Sequence, residues 1–234
     1  MLAYNYDFVV CIEATSNVAP YADQLNKLIK DYVHHFLDRM EELDYSLEQL
    51  RIKFILFRDL SCCSEPINET EFFDINSSSC LTEIENFIDG IKYEGGYGYC
   101  NALEAIALAA KSRWDVQDKN RYRHVILLFS NGRVRPLGGN QRLLSKYPVD
   151  MPINIEQLGD WLNGENLPND IHLNSGHEYV VSFVPADEPW NTDDFKQLYK
   201  YDRFYTWEVF SNLGLGVEDI ELFEPIDMIA GDDF

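Results

Sequence analysis

Phe8-Val-Val-Cys-Ile-Glu-Ala-Thr-Ser-Asn-Val-Ala-Pro20 begins as an unbroken apolar run and ends as a run of oxygen-bearing side chains. Five apolar residues followed at once by polar ones describe a short strand buried on both faces, the kind a parallel sheet with two covered faces requires. Three more runs have this form: Ile52-Lys-Phe-Ile-Leu-Phe57, Val125-Ile-Leu-Leu-Phe129 and Tyr179-Val-Val-Ser-Phe-Val184. Phe204-Tyr-Thr-Trp207 reads as a weaker fifth strand, and Glu71-Phe-Phe-Asp-Ile75 as a short edge strand. Helical patterns lie between them. Tyr21, Leu25, Leu28, Ile29, Tyr32, Phe36, Leu37 and Met40 recur at three- and four-residue steps, one face of a long helix with Pro20 in its first turn. Asn101 to Ala110 is alanine-rich and helical, and Leu81 to Ile91, Ile155 to Leu162, Asp193 to Tyr199 and Val217 to Ile229 read as further helices. Strand–helix alternation with right-handed crossovers predicts an α/β fold: a doubly wound, mostly parallel central sheet flanked by helices on both faces. Residues 1–234 read as a single domain, with an elaborated loop and helix insertion at about 131–177.

Charge narrows the partners. Nineteen basic against 40 acidic residues give a net charge of −21, which disfavours nucleic acid and anionic membrane surfaces. Five cysteines (Cys11, Cys62, Cys63, Cys80, Cys100) form neither an even disulfide framework nor a zinc pattern. Cys11 reads as a small core residue and Cys62-Cys63 as a vicinal pair in a loop. The polar, aromatic start of the sequence lacks the basic and apolar segments of a signal peptide, and no apolar run is long enough to span a bilayer. A cytoplasmic location is the expectation.

In sheets of this kind ligands bind at the carboxyl ends of the strands, in the loops leading to helices. Directly after the first strand come Glu13, Thr15 and Asn17, oxygens at alternate positions and a partial cage for Mg²⁺, which takes near-octahedral oxygen ligands. Other motifs fall short. Gly95-Gly-Tyr-Gly98 lacks the Lys-Ser/Thr ending of a phosphate loop. His34-His35 has no ligand-spaced partner, and Ser16 and Ser130 have no readable His and Asp beside them.

The first strand and its loop, Val9-Val-Cys-Ile-Glu-Ala-Thr-Ser-Asn17, resemble the opening strand and metal-site loop, DxSxS or DxTxS, of the von Willebrand factor A family. Three further stretches agree in order and spacing. Phe57-Arg58-Asp59 is similar to the arginine–aspartate pair of bacterial members. Glu94-Gly-Gly-Tyr-Gly-Tyr-Cys-Asn101 resembles the glycine-rich loop that carries a further metal-site residue. Val125-Ile-Leu-Leu-Phe-Ser-Asn-Gly132 resembles the strand ending in the family's Thr-Asp-Gly-like turn. The resemblance implies a module that grips a partner's acidic residue through a bound cation, in an intracellular multi-protein system.

The departures bear on the metal. Glu13 stands where the family has aspartate, its carboxyl reaching about 1.5 Å further. Asn17 replaces a hydroxyl, Asn131 an aspartate, and Tyr97 an acidic residue or threonine; Thr15 alone is unchanged. Because hard-cation affinity rises with ligand charge, this set implies a degenerate site that binds Mg²⁺ weakly or not at all. Glu13 is then expected to pair with Arg58 or to accept from the amides at the helix start, with Asp59 as a replacement carboxylate. The functional expectation is a non-enzymatic protein-interaction module with no cofactor, recognising an unidentified protein partner through Tyr97, Tyr99, Arg58, Asn131 and the long loop. The alternative is an Mg²⁺-dependent binder using Glu13, Thr15, Asn17, Asp59 and Asn131. A hydrolase with Glu13 or Asp59 as general base lacks a companion nucleophile in the sequence.

Overall fold

The computed structural model describes residues 3–96, 98–116, 122–168, 171, 173, 178–184, 204–208 and 220–231. Strand β1 (Ala3–Glu13) is followed by a 3-10 turn at Ala19–Tyr21 and helix α1 (Ala22–Glu42). Then come β2 (Ser46–Phe57), β3 (Ile67–Glu69), β4 (Phe73–Asp74), α2 (Cys80–Asp89), β5 (Tyr99–Cys100) and α3 (Ala102–Ala110). The remainder is β6 (Tyr122–Phe129), β7 (Arg133–Val134), a 3-10 turn at Gly139–Leu143, α4 (Ile155–Leu162), β8 (Glu178–Val184), β9 (Phe204–Glu208) and α5 (Ile220–Gly231).

The main sheet runs β3-β2-β1-β6-β8-β9, with β4 also paired to β2. β2, β1, β6, β8 and β9 are mutually parallel, and only β3 and β4 run antiparallel. β1 is therefore a central strand, with β2 and β6 on either side, and its carboxyl end opens between theirs. Successive β1 side chains point to opposite faces. Tyr4, Tyr6, Phe8, Val10 and Ile12 enter one core with Leu25, Ile29 and Phe36 of α1, Ile84 and Ile88 of α2, and Ile226 and Ile229 of α5. Val9 and Cys11 enter the other with Leu103 and Ile106 of α3 and Leu158 and Trp161 of α4. The mostly parallel sheet with helices on both faces is thus observed.

Several boundaries move. β1 reaches back through Tyr4 and Tyr6, whose rings pack against Tyr45 and Phe36, so the polar, aromatic start of the sequence is strand. Pro20 belongs to the 3-10 turn ahead of α1 rather than to its first turn. Of the edge strand expected at 71–75 only Phe73–Asp74 (β4) is strand, and β3 at Ile67–Glu69 lies ahead of it. Of the helix expected over Val217 to Ile229 the described part is Ile220–Gly231, with Pro225 inside it; residues 217–219 lie outside the described residues. The helix expected over 193–199 lies outside the described residues. Within 131–177 the structure shows β7, the second 3-10 turn and α4. β7 pairs in parallel with β5 in a separate two-stranded sheet, which ties the start of this segment to the glycine-rich loop.

Candidate functional site

Parallel register decides the site. Ile12 of β1 lies opposite Phe129 of β6, so the next residues, Glu13 and Ser130, leave the sheet side by side. Adjacent strands are about 4.8 Å apart, and a glutamate side chain spans that gap. The Ser130 hydroxyl donates to Glu13 Oε2 at 2.7 Å. The backbone N–H groups of Asn131 and Gly132 donate to the same oxygen at 2.7 and 2.6 Å. The Thr15 hydroxyl donates to Oε1 at 2.5 Å. Glu13, Thr15 and Ser130 are fully buried. Both carboxylate oxygens of Glu13 are therefore capped by protein donors, the arrangement that stabilises a buried carboxylate without a cation.

The neighbouring loops are shaped to this carboxylate. A Cβ on Gly132 would meet Glu13 Oε1 at 2.6 Å, so only glycine lets the turn close over it. Gly96 has φ +70°, and a Cβ there would strike Thr15 Cγ2 at 2.7 Å. Ser16 fastens the two loops together: its N–H and hydroxyl both donate to the Gly95 carbonyl at 2.8 Å.

The expected Glu13–Arg58 pair does not form. Arg58 is buried, and its Nη1 and Nη2 donate to the carbonyls of Glu65 and Lys92 at 3.2 and 2.7 Å. The amides that reach Glu13 belong to the turn after β6, not to the helix start; the Asn17 N–H goes instead to Thr15 Oγ1 at 3.3 Å. Asn131 contributes its backbone, whereas sequence reasoning counted its side chain. Asp59 is no replacement carboxylate at Glu13 either. It forms a two-pronged ion pair with Arg135, Nε to Oδ1 at 3.0 Å and Nη2 to Oδ2 at 2.8 Å, and accepts the Ser61 N–H at 2.8 Å. Burial pushes the Asp59 carboxyl up, but the bonds and charge of Arg135 and the Ser61 amide outweigh it and hold it below the usual range. A carboxylate so held is a poor general base.

Arg135 lies with its guanidinium 4.5 Å from the centre of the half-exposed Tyr99 ring. Tyr97 lies outside the described residues. Beneath Tyr99, the Asn101 amide donates to Glu104 Oε2 at 2.9 Å and to Gln141 Oε1 at 2.6 Å, and its oxygen accepts the Leu60 N–H at 2.9 Å. Glu104 is fully buried and also accepts from the Gly138 N–H and the Tyr147 hydroxyl. Desolvation raises its pKa against those bonds. This network anchors the 131–147 segment onto α3.

Sequence reasoning missed Arg135 and the roles of Ser130 and Gly132. Ser130 and Gly132 were legible in kind, because they directly follow a buried strand; their role needs the β1–β6 register. Arg135 carried no signal, since nothing in its spacing points to Asp59.

A divalent cation fits this donor set poorly. Glu13 Oε2 already faces three N–H and O–H donors and Oε1 faces the Thr15 hydroxyl, so an ion would have to displace these bonds to use the carboxylate fully. Among the described residues no group of three or more His, Cys, Asp or Glu side chains is placed to hold a metal.

No protein-family model and no curated protein matches the sequence. Solved structures do match in three dimensions. The pilus adhesin SpaC from Lactobacillus rhamnosus GG, in its open conformation, superposes with a TM-score of 0.52 at 10% identity, over 97% of this chain and 30% of its own. Proximal thread matrix protein 1 from the mussel byssus superposes with a TM-score of 0.54 at 12% identity, over 98% of this chain and 48% of its own. This chain thus spans under a third of the adhesin and about half of the matrix protein. At such identities the likeness establishes the fold alone.

Proposed function

We propose that this chain is a non-enzymatic protein-docking module of the von Willebrand factor A type, in which the carboxylate of Glu13 stands in for the cation. One observation carries the reading: four protein donors surround Glu13, three on Oε2 and one on Oε1, and bind it as a structural anion. The glutamate-for-aspartate exchange supplies the extra reach that brings the carboxylate to the turn after β6. Asp59, the other carboxylate of the face, is committed to Arg135. The structural likeness to an adhesin and a matrix protein supports a binding rather than a chemical role. Five free thiols, including Cys62 and Cys63 with sulfurs 3.7 Å apart, support a reducing compartment such as the cytoplasm. No described helix is long and apolar enough to cross a membrane.

The competing reading, an Mg²⁺-dependent binder, makes the opposite prediction in one experiment. Calorimetric titration and thermal melts with Mg²⁺ and Mn²⁺ are expected to show no saturable heat and no melting shift at millimolar metal. A one-to-one isotherm with a metal-dependent rise in Tm would overturn the proposal, because a ligand that binds only the native state must stabilise it.

A further inference from the structure

Residues 131–149 contain four of the chain's 19 basic residues and none of its 40 acidic ones. The structure ties this segment to the loop that carries Tyr99, through the β5–β7 pair and the bond from Asn101 to Gln141. Arg133 lies opposite Tyr99 in the β5–β7 pair, and Arg135 covers the Tyr99 ring. Lys146 donates to the carbonyl of Cys63, whose own N–H donates to the Asp59 carbonyl, two bonds from Arg135. Arg142 donates to the Pro152 carbonyl, next to Ile153. Of these four cations only Arg135 has a carboxylate partner among the described residues. Arg142 and Lys146 are held by carbonyls, which fix their positions without supplying a counter-charge.

Exposed large apolar side chains occur on the Tyr99 loop and along 143–153. Among the described residues these are Tyr99 at 38% exposure, Leu143 at 86%, Val149 at 75% and Ile153 at 69%. Single exposed leucines are ordinary, but Leu143 adjoins Arg142 in the turn that Gln141 ties to Asn101, two residues from the exposed Tyr99 ring. Tyrosine and arginine are the residues enriched where interfaces concentrate their binding energy.

We infer that this face, Tyr99 with Arg133, Arg142, Leu143 and Lys146, docks an acidic peptide segment that carries apolar side chains, and does so through the side-chain cations rather than through a metal. The inference rests on the docking reading above and names its partner class. Complementarity of sign is the argument for an acidic partner. The overall charge of −21 does not oppose it, because at physiological salt fields fade over about 8 Å and a docked peptide feels the local cations first. Against nucleic acid stands the small size of the patch within an otherwise acidic chain, where a phosphate backbone would run onto like charge.

The test uses a fluorescein-labelled dodecapeptide of Asp and Glu with Leu or Phe at every third position, read by anisotropy in EDTA. A lysine-for-acid peptide and a dodecamer of oligo-dT serve as comparisons. Saturable binding of the acidic peptide is expected, weakened about tenfold by Arg133→Glu and several-fold by Leu143→Ser, with Arg133→Lys close to the parent. Both residues are exposed, so far-UV circular dichroism and Tm are expected to stay unchanged. Absence of binding up to millimolar peptide, equal binding of oligo-dT, or binding indifferent to Arg133→Glu would each overturn the inference. So would concentration-dependent self-association abolished by the same substitution, which would make a second copy the occupant. Binding that requires Mg²⁺ would instead overturn the metal-free docking reading, so the two failures are distinguishable.

Discussion

Glu13→Asp removes one methylene and leaves everything else about the cage in place. The Cα of residue 13 is fixed by pairing to Phe57, and that of Ile12 by pairing to Phe129, so the backbone has little freedom to follow. The carboxyl withdraws by about 1.5 Å, and bonds of 2.6 to 2.7 Å to Ser130, Asn131 and Gly132 open to about 4 Å, beyond any hydrogen bond. Two backbone N–H groups lose their acceptor, at about 1–3 kcal/mol each, while the Ser130 hydroxyl can turn toward Cys100 Sγ, 3.4 Å away. A water entering the vacated space recovers part of this. The net loss is about 2–4 kcal/mol, or about 5–15 °C in Tm for a chain of this length. Differential scanning calorimetry in EDTA measures it. The vacated space also lies between a carboxylate and the Thr15 hydroxyl, so Mn²⁺ or Mg²⁺ is expected to restore Tm in the variant and not in the parent. Occupancy at a hundredfold excess over Kd returns about 2.7 kcal/mol. A variant as stable as the parent in EDTA would refute the claim that the three bonds from the β6 turn hold the site closed. An unstable variant that metal does not rescue would refute the claim that the carboxylate occupies an ion's place.

Gly132→Ala is expected to destabilise by about 1–3 kcal/mol in urea unfolding, because the new methyl must displace the Glu13 carboxylate or the turn; an effect under half a kcal/mol would argue against close packing there. Arg135→Met strands the buried Asp59 carboxylate, and since Arg135 is itself partly exposed the cost is about 1–3 kcal/mol at neutral pH. Asp59 titrates below its unfolded value of 3.8, so its contribution is present above that pH and is lost as pH falls through the lower folded value; in Arg135→Met this acid-side loss is expected to shrink. His124 is buried, stacked on Trp114 at 4.8 Å, and desolvation lowers its pKa below 6.5. The unfolded chain then binds the extra proton first, so stability is full above pH 6.5 and falls by about 1.4 kcal/mol per pH unit as pH drops toward the folded value. His124→Gln is expected to flatten that slope in urea melts taken between pH 7 and 5.

The sequence by itself determined the sheet. The apolar runs at 8–12, 52–57, 125–129 and 179–184 are buried on both faces, and a strand with two covered faces has to be apolar along its length. The α1 stripe was equally legible, because Leu25, Ile29, Tyr32 and Phe36 repeat at helical spacing whatever they pack against. Sequence also placed Glu13 and Thr15 at the carboxyl edge and marked Asn131-Gly132 as a turn of interest. What lay beyond it was who meets whom. Glu13 to Ser130 is a separation of 117 positions set by the parallel register of β1 and β6, and Asp59 to Arg135 is one of 76 set by the path of the loop through β7. Neither pairing leaves a periodic trace in the chain, because a hydrogen bond between distant residues depends on the closure of the whole sheet. That closure turned a glutamate that looked like a weakened ligand into the acceptor of four protein hydrogen bonds.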